Sequence, residues 1–239
     1  NWQKLRKVNY FLNHYKEVIT VESDSLYEVE LKKLNKYVAE AKFFKAWDYY
    51  IKLVALGEVP WLETELYTDS EELHTAKRTP REELVKNIIE CLDFAIENLN
   101  ENDNSCGYIN KDMARFLKAK FCLFEGTFRK YHNPERAETA PEYFLKLSRD
   151  AAKQIMDRGV YELYKHPTAK DSYWQLFVQK KSPEAEGNKE TILARVYDGS
   201  KLGHDNPRYW GMNNHTRYSM GATVAMTEKY LCADGRPVY

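Results

Sequence analysis

Between Arg208 and Tyr218 the sequence places Arg208, Tyr209, Trp210, Asn213, Asn214, Arg217 and Tyr218 within eleven residues. That mixture suits a polyhydroxylated ring. Aromatic faces stack on the apolar C–H side of a sugar, and planar amide and guanidinium groups take pairs of neighbouring hydroxyls. These seven are the candidate glycan-binding residues. Tyr209 and Trp210 also fit a plainer role, packing the segment onto neighbouring helices, and both readings stand at this point. The surrounding run, 199 to 222, holds four of the ten glycines and follows no regular period. An irregular run of this length inside a domain is usually functional or disordered. Its aromatics and low charge argue against disorder.

Other chemistry finds less. His14, His74, His132, His166, His204 and His215 form no HExxH motif and no pair four residues apart. The neighbours His204 and Asp205 are a weak metal signal, so no metal site is expected. Cys91, Cys106, Cys122 and Cys232 form no CxxC pair. Cys91 and Cys122 fall on apolar helix positions, where a free thiol packs as a small hydrophobe. The acidic pairs Glu71-Glu72 and Glu82-Glu83 read as helix-start or surface charges. Two carboxyl groups for glycoside hydrolysis meet only in space, and no motif marks them. GxGxxG, Walker A and GxSxG are absent. No catalytic residue and no cofactor is expected.

Composition narrows the setting. Lys and Arg number 36 and Asp and Glu number 36, giving a formal net charge of zero. That argues against a nucleic-acid binder driven by bulk electrostatics. Hydrophobic residues make up 43% of the 239 and aromatics 14%, enough to build a core. Ten glycines and eight prolines are too few for a turn-rich sandwich or barrel and favour helices. The longest stretch free of charge, Tyr218 to Thr227, is ten residues, against about 20 for a spanning helix. Both ends, Asn1-Trp2 and Val238-Tyr239, read as cuts within a longer protein.

Helical periodicity dominates the elements that must position these groups. Helices are expected over 2–20, 25–56, about 80–99, 110–131, 141–158 and 223–232. Gly57 ends the second in the left-handed cap role. Thr79, Pro80 and Glu82 read as N-cap, N1 and N3 of a capping box. Residues 191–197 alternate and suggest a strand. Trp61 is expected to cover a helix end, and Trp47, Tyr49, Tyr50 and Trp174 to pack between helices. Ala41-x-Phe43-x-x-Ala46 repeats as Ala114-x-Phe116-x-x-Ala119 at an offset of 73 residues, about two tetratricopeptide units of 34. The reading is a mainly α fold of tetratricopeptide-like antiparallel helix pairs, an α/α superhelix, with long irregular loops. One domain spans 1–239: a helical-pair body over 1–164 and a loop-rich segment over 165–239, with 199–222 facing the ligand.

Five segments in order carry a family resemblance. They are Ala39 to Ala46 leading to Leu56-Gly57-Glu58-Val59-Pro60, and Arg78 to Glu83 leading to Asp93-Phe94-Ala95-Ile96. Met113 to Ala119 follows, then Ala151 to Ile155 leading to Gly159-Val160-Tyr161-Glu162-Leu163. Tyr230 through Asp234-Gly235-Arg236-Pro237 closes the set. In this order they resemble the SusD/RagB family, the surface glycan-binding lipoproteins of Bacteroidetes polysaccharide-utilisation systems. The resemblance implies oligosaccharide or polysaccharide binding without catalysis and delivery to a SusC-type TonB-dependent transporter. It also implies an outer-membrane location through an N-terminal lipid anchor that lies outside this sequence. A tetratricopeptide-like scaffold that binds only protein is the rival reading, and a glycoside hydrolase is a third.

Overall fold

The structure is a computed structural model. It describes residues 2–21, 23–67, 69–101, 106–132, 138–166, 172–178, 183, 185, 187–195, 223–232 and 234–236. The chain divides into two compact units, Asn1–Val196 and Tyr197–Tyr239.

In the first unit, α1 (Gln3–His14) runs into a short 3-10 turn, Tyr15–Val18. Then come α2 (Asp24–Leu56), the short α3 (Glu71–Thr75), α4 (Arg81–Asn98), α5 (Lys111–His132) and α6 (Pro141–Asp157). A six-residue helix, α7 (Ser172–Phe177), follows an extended stretch. The long helices pack in series, α1 on α2, α2 on α4, α4 on α5 and α5 on α6. Cross-helix contacts fix the directions. Arg81 at the start of α4 bonds Glu125 near the end of α5, while Lys118 reaches back to Asp93. Arg158 just after α6 reaches Asp112 at the start of α5. The pairs are antiparallel, as the repeat predicts.

The core is made of the inner faces of these helices: Ala39, Phe43, Ala46, Tyr49 and Leu53 of α2 against Leu84, Ile88, Leu92 and Ala95 of α4, with Leu117 and Phe121 of α5 beyond. Burying one such side chain is worth about 1.5–3 kcal/mol. The repeat is looser in space than in sequence. Phe43 is fully buried, but its counterpart Phe116 is exposed. Helix α5 is packed on both sides, by α4 and α6, and turns Leu117 and Phe121 inward instead. Close approach of α5 and α6 is permitted by Gly126, where a Cβ would sit 2.8 Å from Leu145 Cδ2 and 3.1 Å from the Pro141 carbonyl.

Several local expectations hold. Gly57 adopts φ 73° and closes α2 with its N–H on the Leu53 carbonyl. Asn110 caps α5 by accepting the Met113 N–H at 3.0 Å. Trp61 covers α2 by stacking on Tyr49 at 4.2 Å. Cys91, Cys106 and Cys122 are buried, and Cys232 is exposed.

Others are corrected. Helix α4 begins at Arg81, with Pro80 at the cap position and no side-chain cap. The Thr79 hydroxyl accepts the Trp61 N–H instead, at 2.8 Å. The Glu58 carboxylate, from the start of the connection after α2, takes the Arg81 N–H. Glu82 stands in the first turn of α4, as a helix-start charge should, and its carboxylate also pairs with the buried Arg129 and accepts the Thr139 hydroxyl. Helix α1 stops at His14 and gives way to the 3-10 turn. Residues 191–195 are irregular, not a strand, and the Ala194 N–H is spent on the Cys106 carbonyl. No strand occurs among the described residues.

In the second unit, the helix expected over 223–232 is the four-residue α8 (Val224–Thr227), capped by the Thr223 hydroxyl on the Met226 N–H. The Asp234-Gly235 turn forms as expected. Gly235 takes φ 81°, and Asp234 accepts the Arg236 N–H at 3.1 Å.

Candidate functional site

The seven candidate residues from Arg208 to Tyr218 lie outside the described residues. Among the described residues the groups able to do chemistry begin with the buried charges.

Two ionic clusters are enclosed by helices. Glu125 is fully buried and accepts Arg81 Nε at 2.9 Å, Arg81 Nη2 at 2.7 Å and Arg129 Nε at 2.7 Å. Asp112, also fully buried, takes Arg115 at 2.8 Å, the Tyr161 hydroxyl at 3.0 Å and the Arg158 guanidinium. Each carboxylate is held by an arginine of its own helix and by groups from other segments, so these clusters brace the helix pairs. A general acid in glycoside hydrolysis needs a carboxyl held high enough to stay protonated. At Glu82 burial pushes the carboxyl up, but Arg129 and Thr139 outweigh it and hold it below its usual range. Among the described residues no group of three His, Cys, Asp or Glu side chains could hold a metal ion.

The surface near α7 is of a different kind. Gly159 turns the chain out of α6 at φ 62°, and the stretch from Val160 lies against residues 187–190. Glu162 N–H meets the Lys189 carbonyl, and Tyr164 N–H donates to the Glu190 carboxylate at 2.9 Å. Asn188, almost wholly buried, holds the other side. Its N–H bonds the Pro183 carbonyl, its amide donates to the Thr191 hydroxyl, and its Oδ1 accepts the Glu190 N–H. Between the two runs opens a cleft of about 550 Å³ lined by Glu162, Leu163, Tyr164, Lys165, Gly187 and Lys189. Its size is within the roughly 300–1,000 Å³ range of small-molecule sites.

Helix α7 leaves from one edge of this cleft. Ser172 Oγ accepts the His166 N–H at 3.0 Å, one residue from Lys165. Tyr173 and Phe177, four apart and thus on one side of the helix, meet edge to face at 5.1 Å. Tyr173 and Trp174 are each 63% exposed and Phe177 is 69% exposed. The expectation that Trp174 packs between helices is therefore corrected. A six-residue helix presents too little surface to bury aromatics on two adjacent sides. Three large aromatics among the six residues of α7 are the sequence signal here, and by type alone they fit packing as well as display. Exposed aromatics in a group mark an interaction surface. Beside a cleft that offers carboxylate, ammonium and hydroxyl groups, they can stack on a ring whose hydroxyls face the polar side.

The fold has known counterparts. No family model matches the chain. SusD-like protein P2 of Formosa agariphila is 30% identical over 98 residues, which are 41% of this chain and 19% of that protein. A SusD-like carbohydrate binding protein of Bacteroides fragilis superposes with a TM-score of 0.61 at 20% identity, over 86% of this chain and 34% of that one. A structure solved with xylogluco-oligosaccharide superposes with a TM-score of 0.56 at 21% identity, over 82% of this chain and 34% of that one. The chain thus spans about a fifth of the length of the curated relative and about a third of these solved structures. These helix pairs are the tetratricopeptide-like pairs of the SusD-like fold. The chain therefore has the SusD-like fold, and over 98 residues its sequence is similar to that of one SusD-like protein.

Proposed function

We propose that the protein binds oligosaccharide or polysaccharide at the cell surface without cleaving it, as one SusD-like domain of a larger protein. The observation that carries this reading is the exposed Tyr173, Trp174 and Phe177 beside the polar cleft at Glu162 to Lys165. A fold shared with a protein solved with xylogluco-oligosaccharide supports it. The segment Arg208 to Tyr218, with Trp210 as its stacking ring, is proposed as a further glycan contact. Affinity electrophoresis of the intact protein through gels cast with a panel of polysaccharides, xyloglucan among them, tests the reading. Replacing Trp174 by Ala should weaken retention by about 1–3 kcal/mol, the worth of one buried aromatic. The melting temperature should hardly change, because the ring is exposed. Unchanged retention of the variant on every retarding gel would remove α7 from the site.

The proposed setting is the outer membrane, through an N-terminal lipid anchor, with delivery of the glycan to a SusC-type TonB-dependent transporter. The helical body is proposed as the docking surface for that partner. Tyr37, Phe44 and Ile51 recur at seven-residue spacing on α2, and each stays about half exposed. The same stripe favours the second reading, a tetratricopeptide-like scaffold that binds only protein. Purification from native membranes should bring down a large β-barrel protein, and replacing Phe44 and Ile51 together by Glu should release it. An intact protein that always runs alone would contradict the transporter assignment.

A further inference from the structure

A second cleft, of about 260 Å³, opens between α1, α2 and α4. Among its lining residues is Lys45, a helix residue only 5% exposed. Its ammonium rests over the Trp61 ring at 4.7 Å. Among the described residues it makes no ion pair or hydrogen bond. Burial holds it below the ordinary lysine value. A buried cation without a hydrogen-bonded partner is costly, and this one borders open space rather than packed core.

The walls carry both signs of hydrogen-bonding group. Glu63 and Glu90 supply carboxylates, and Asn13 and Asn87 supply amides. One Glu63 oxygen is already taken by the Trp61 indole N–H at 3.2 Å, and the Asn13 amide donates to the Glu63 carbonyl and the Glu65 carboxylate. Asn87 and the outer oxygens of Glu63 and Glu90 have no hydrogen bond from Lys45. Lys42, on the same side of α2, rests over Phe94 at 4.1 Å. Two lysines against two glutamates leave no net attraction for a free anion. A hydroxyl group, which accepts from an ammonium and donates to a carboxylate, bridges such a gap.

We infer that this cleft is a subsite for a single pyranose ring, with Lys45 donating to one ring hydroxyl or ether oxygen and Asn87 and Glu63 taking its neighbours. The volume is below that of most drug-sized sites, roughly 300–1,000 Å³, and far above the roughly 30 Å³ share of one water. It therefore takes one ring and not a chain. The Trp61 ring is engaged by Tyr49 and Lys45, so recognition here runs through polar groups, unlike the stacking surface of α7. This assignment rests on the glycan-binding reading and adds a second, chemically distinct contact.

The test uses the intact protein labelled with 13C at lysine. Lys45→Met, which keeps the packed stem, identifies the Lys45 signal by its loss. Adding glucose, galactose, xylose or glucuronic acid in turn should move that signal to saturation with at least one sugar. Asn87→Ala, a half-exposed site that leaves the core intact, should weaken that response about tenfold or more. A Lys45 signal unmoved by all four sugars, with polysaccharide gels still retarding the protein, would reject this subsite and leave the broader reading standing. An unmoved signal with no retardation on any gel would reject both. A response unchanged in Asn87→Ala would also overturn the assignment, since the ring would then lie elsewhere.

Discussion

Replacing Glu125 by Leu is expected to remove about 3–5 kcal/mol of stability, the usual cost of breaking a buried ion pair from one side. Glu125 is fully buried and receives three hydrogen bonds from Arg81 and Arg129. Arg129 is itself 2% exposed and reaches on to Glu82 and to the Thr139 carbonyl. One carboxylate therefore ties the start of α4, the end of α5 and the residues entering α6. Among the described residues, leucine would leave the Arg81 side chain with no acidic partner and Arg129 with Glu82 alone. Urea unfolding of the variant reads the loss directly, and a change under about 1 kcal/mol would show that the cluster is nearly neutral. The same cluster sets an acid limit. Glu82 titrates lower in the folded protein than its ordinary 4.5. It therefore contributes stability above that value, and the contribution drains away as pH falls through the folded value. The Glu125→Leu variant should still show this acid loss, because Glu82 keeps Arg129.

The second large effect is expected at Tyr49. Its ring is fully buried on α2, stacked on Trp61 and edge-on to Trp2 at 6.5 Å. Its hydroxyl accepts the Leu62 N–H at 2.7 Å and donates to the Pro60 carbonyl at 3.2 Å. Burial pushes that hydroxyl well above the ordinary tyrosine value. Tyr49→Ala should cost about 3–5 kcal/mol through the cavity it leaves. Tyr49→Phe keeps the ring and strips only the hydrogen bonds, leaving the Leu62 N–H unpaired at about 1–3 kcal/mol. Hydrogen exchange at Leu62 separates the two roles. In Tyr49→Phe its amide should exchange faster while the α4 core amides change much less. Equal acceleration throughout would mean that the hydroxyl does not pin the connection locally.

Much of the architecture is legible because it is local. The period of α4 and α5, the positive φ at Gly57 and the proline that opens α6 each depend on residues within a turn or two. What failed was long-range. Thr79 is a good N-cap by type, but its hydroxyl is claimed by Trp61, eighteen residues away in the chain. Glu82 is a helix-start charge by its place in α4, but its pairing with Arg129 comes from 47 residues away in the chain. Lys45 reads as one more charged residue on a helix, and only the Trp61 ring and the facing α4 show that it is buried. Trp174 sits in a segment whose three aromatics fit burial or display equally, and only the packing of the short helix decides. The family resemblance supplied the sugar-binding expectation, and the α7 aromatics supply the described surface on which that expectation can act.

Titration of the intact protein with xylogluco-oligosaccharides of several backbones, with the size of the sugar followed throughout, tests most directly whether this is a binding protein that does not cut. Saturable binding of at least one oligosaccharide is predicted, weakened in Trp174→Ala, with every sugar recovered at its original length. Shortened products that increase with time and follow a reproducible pH profile would contradict it.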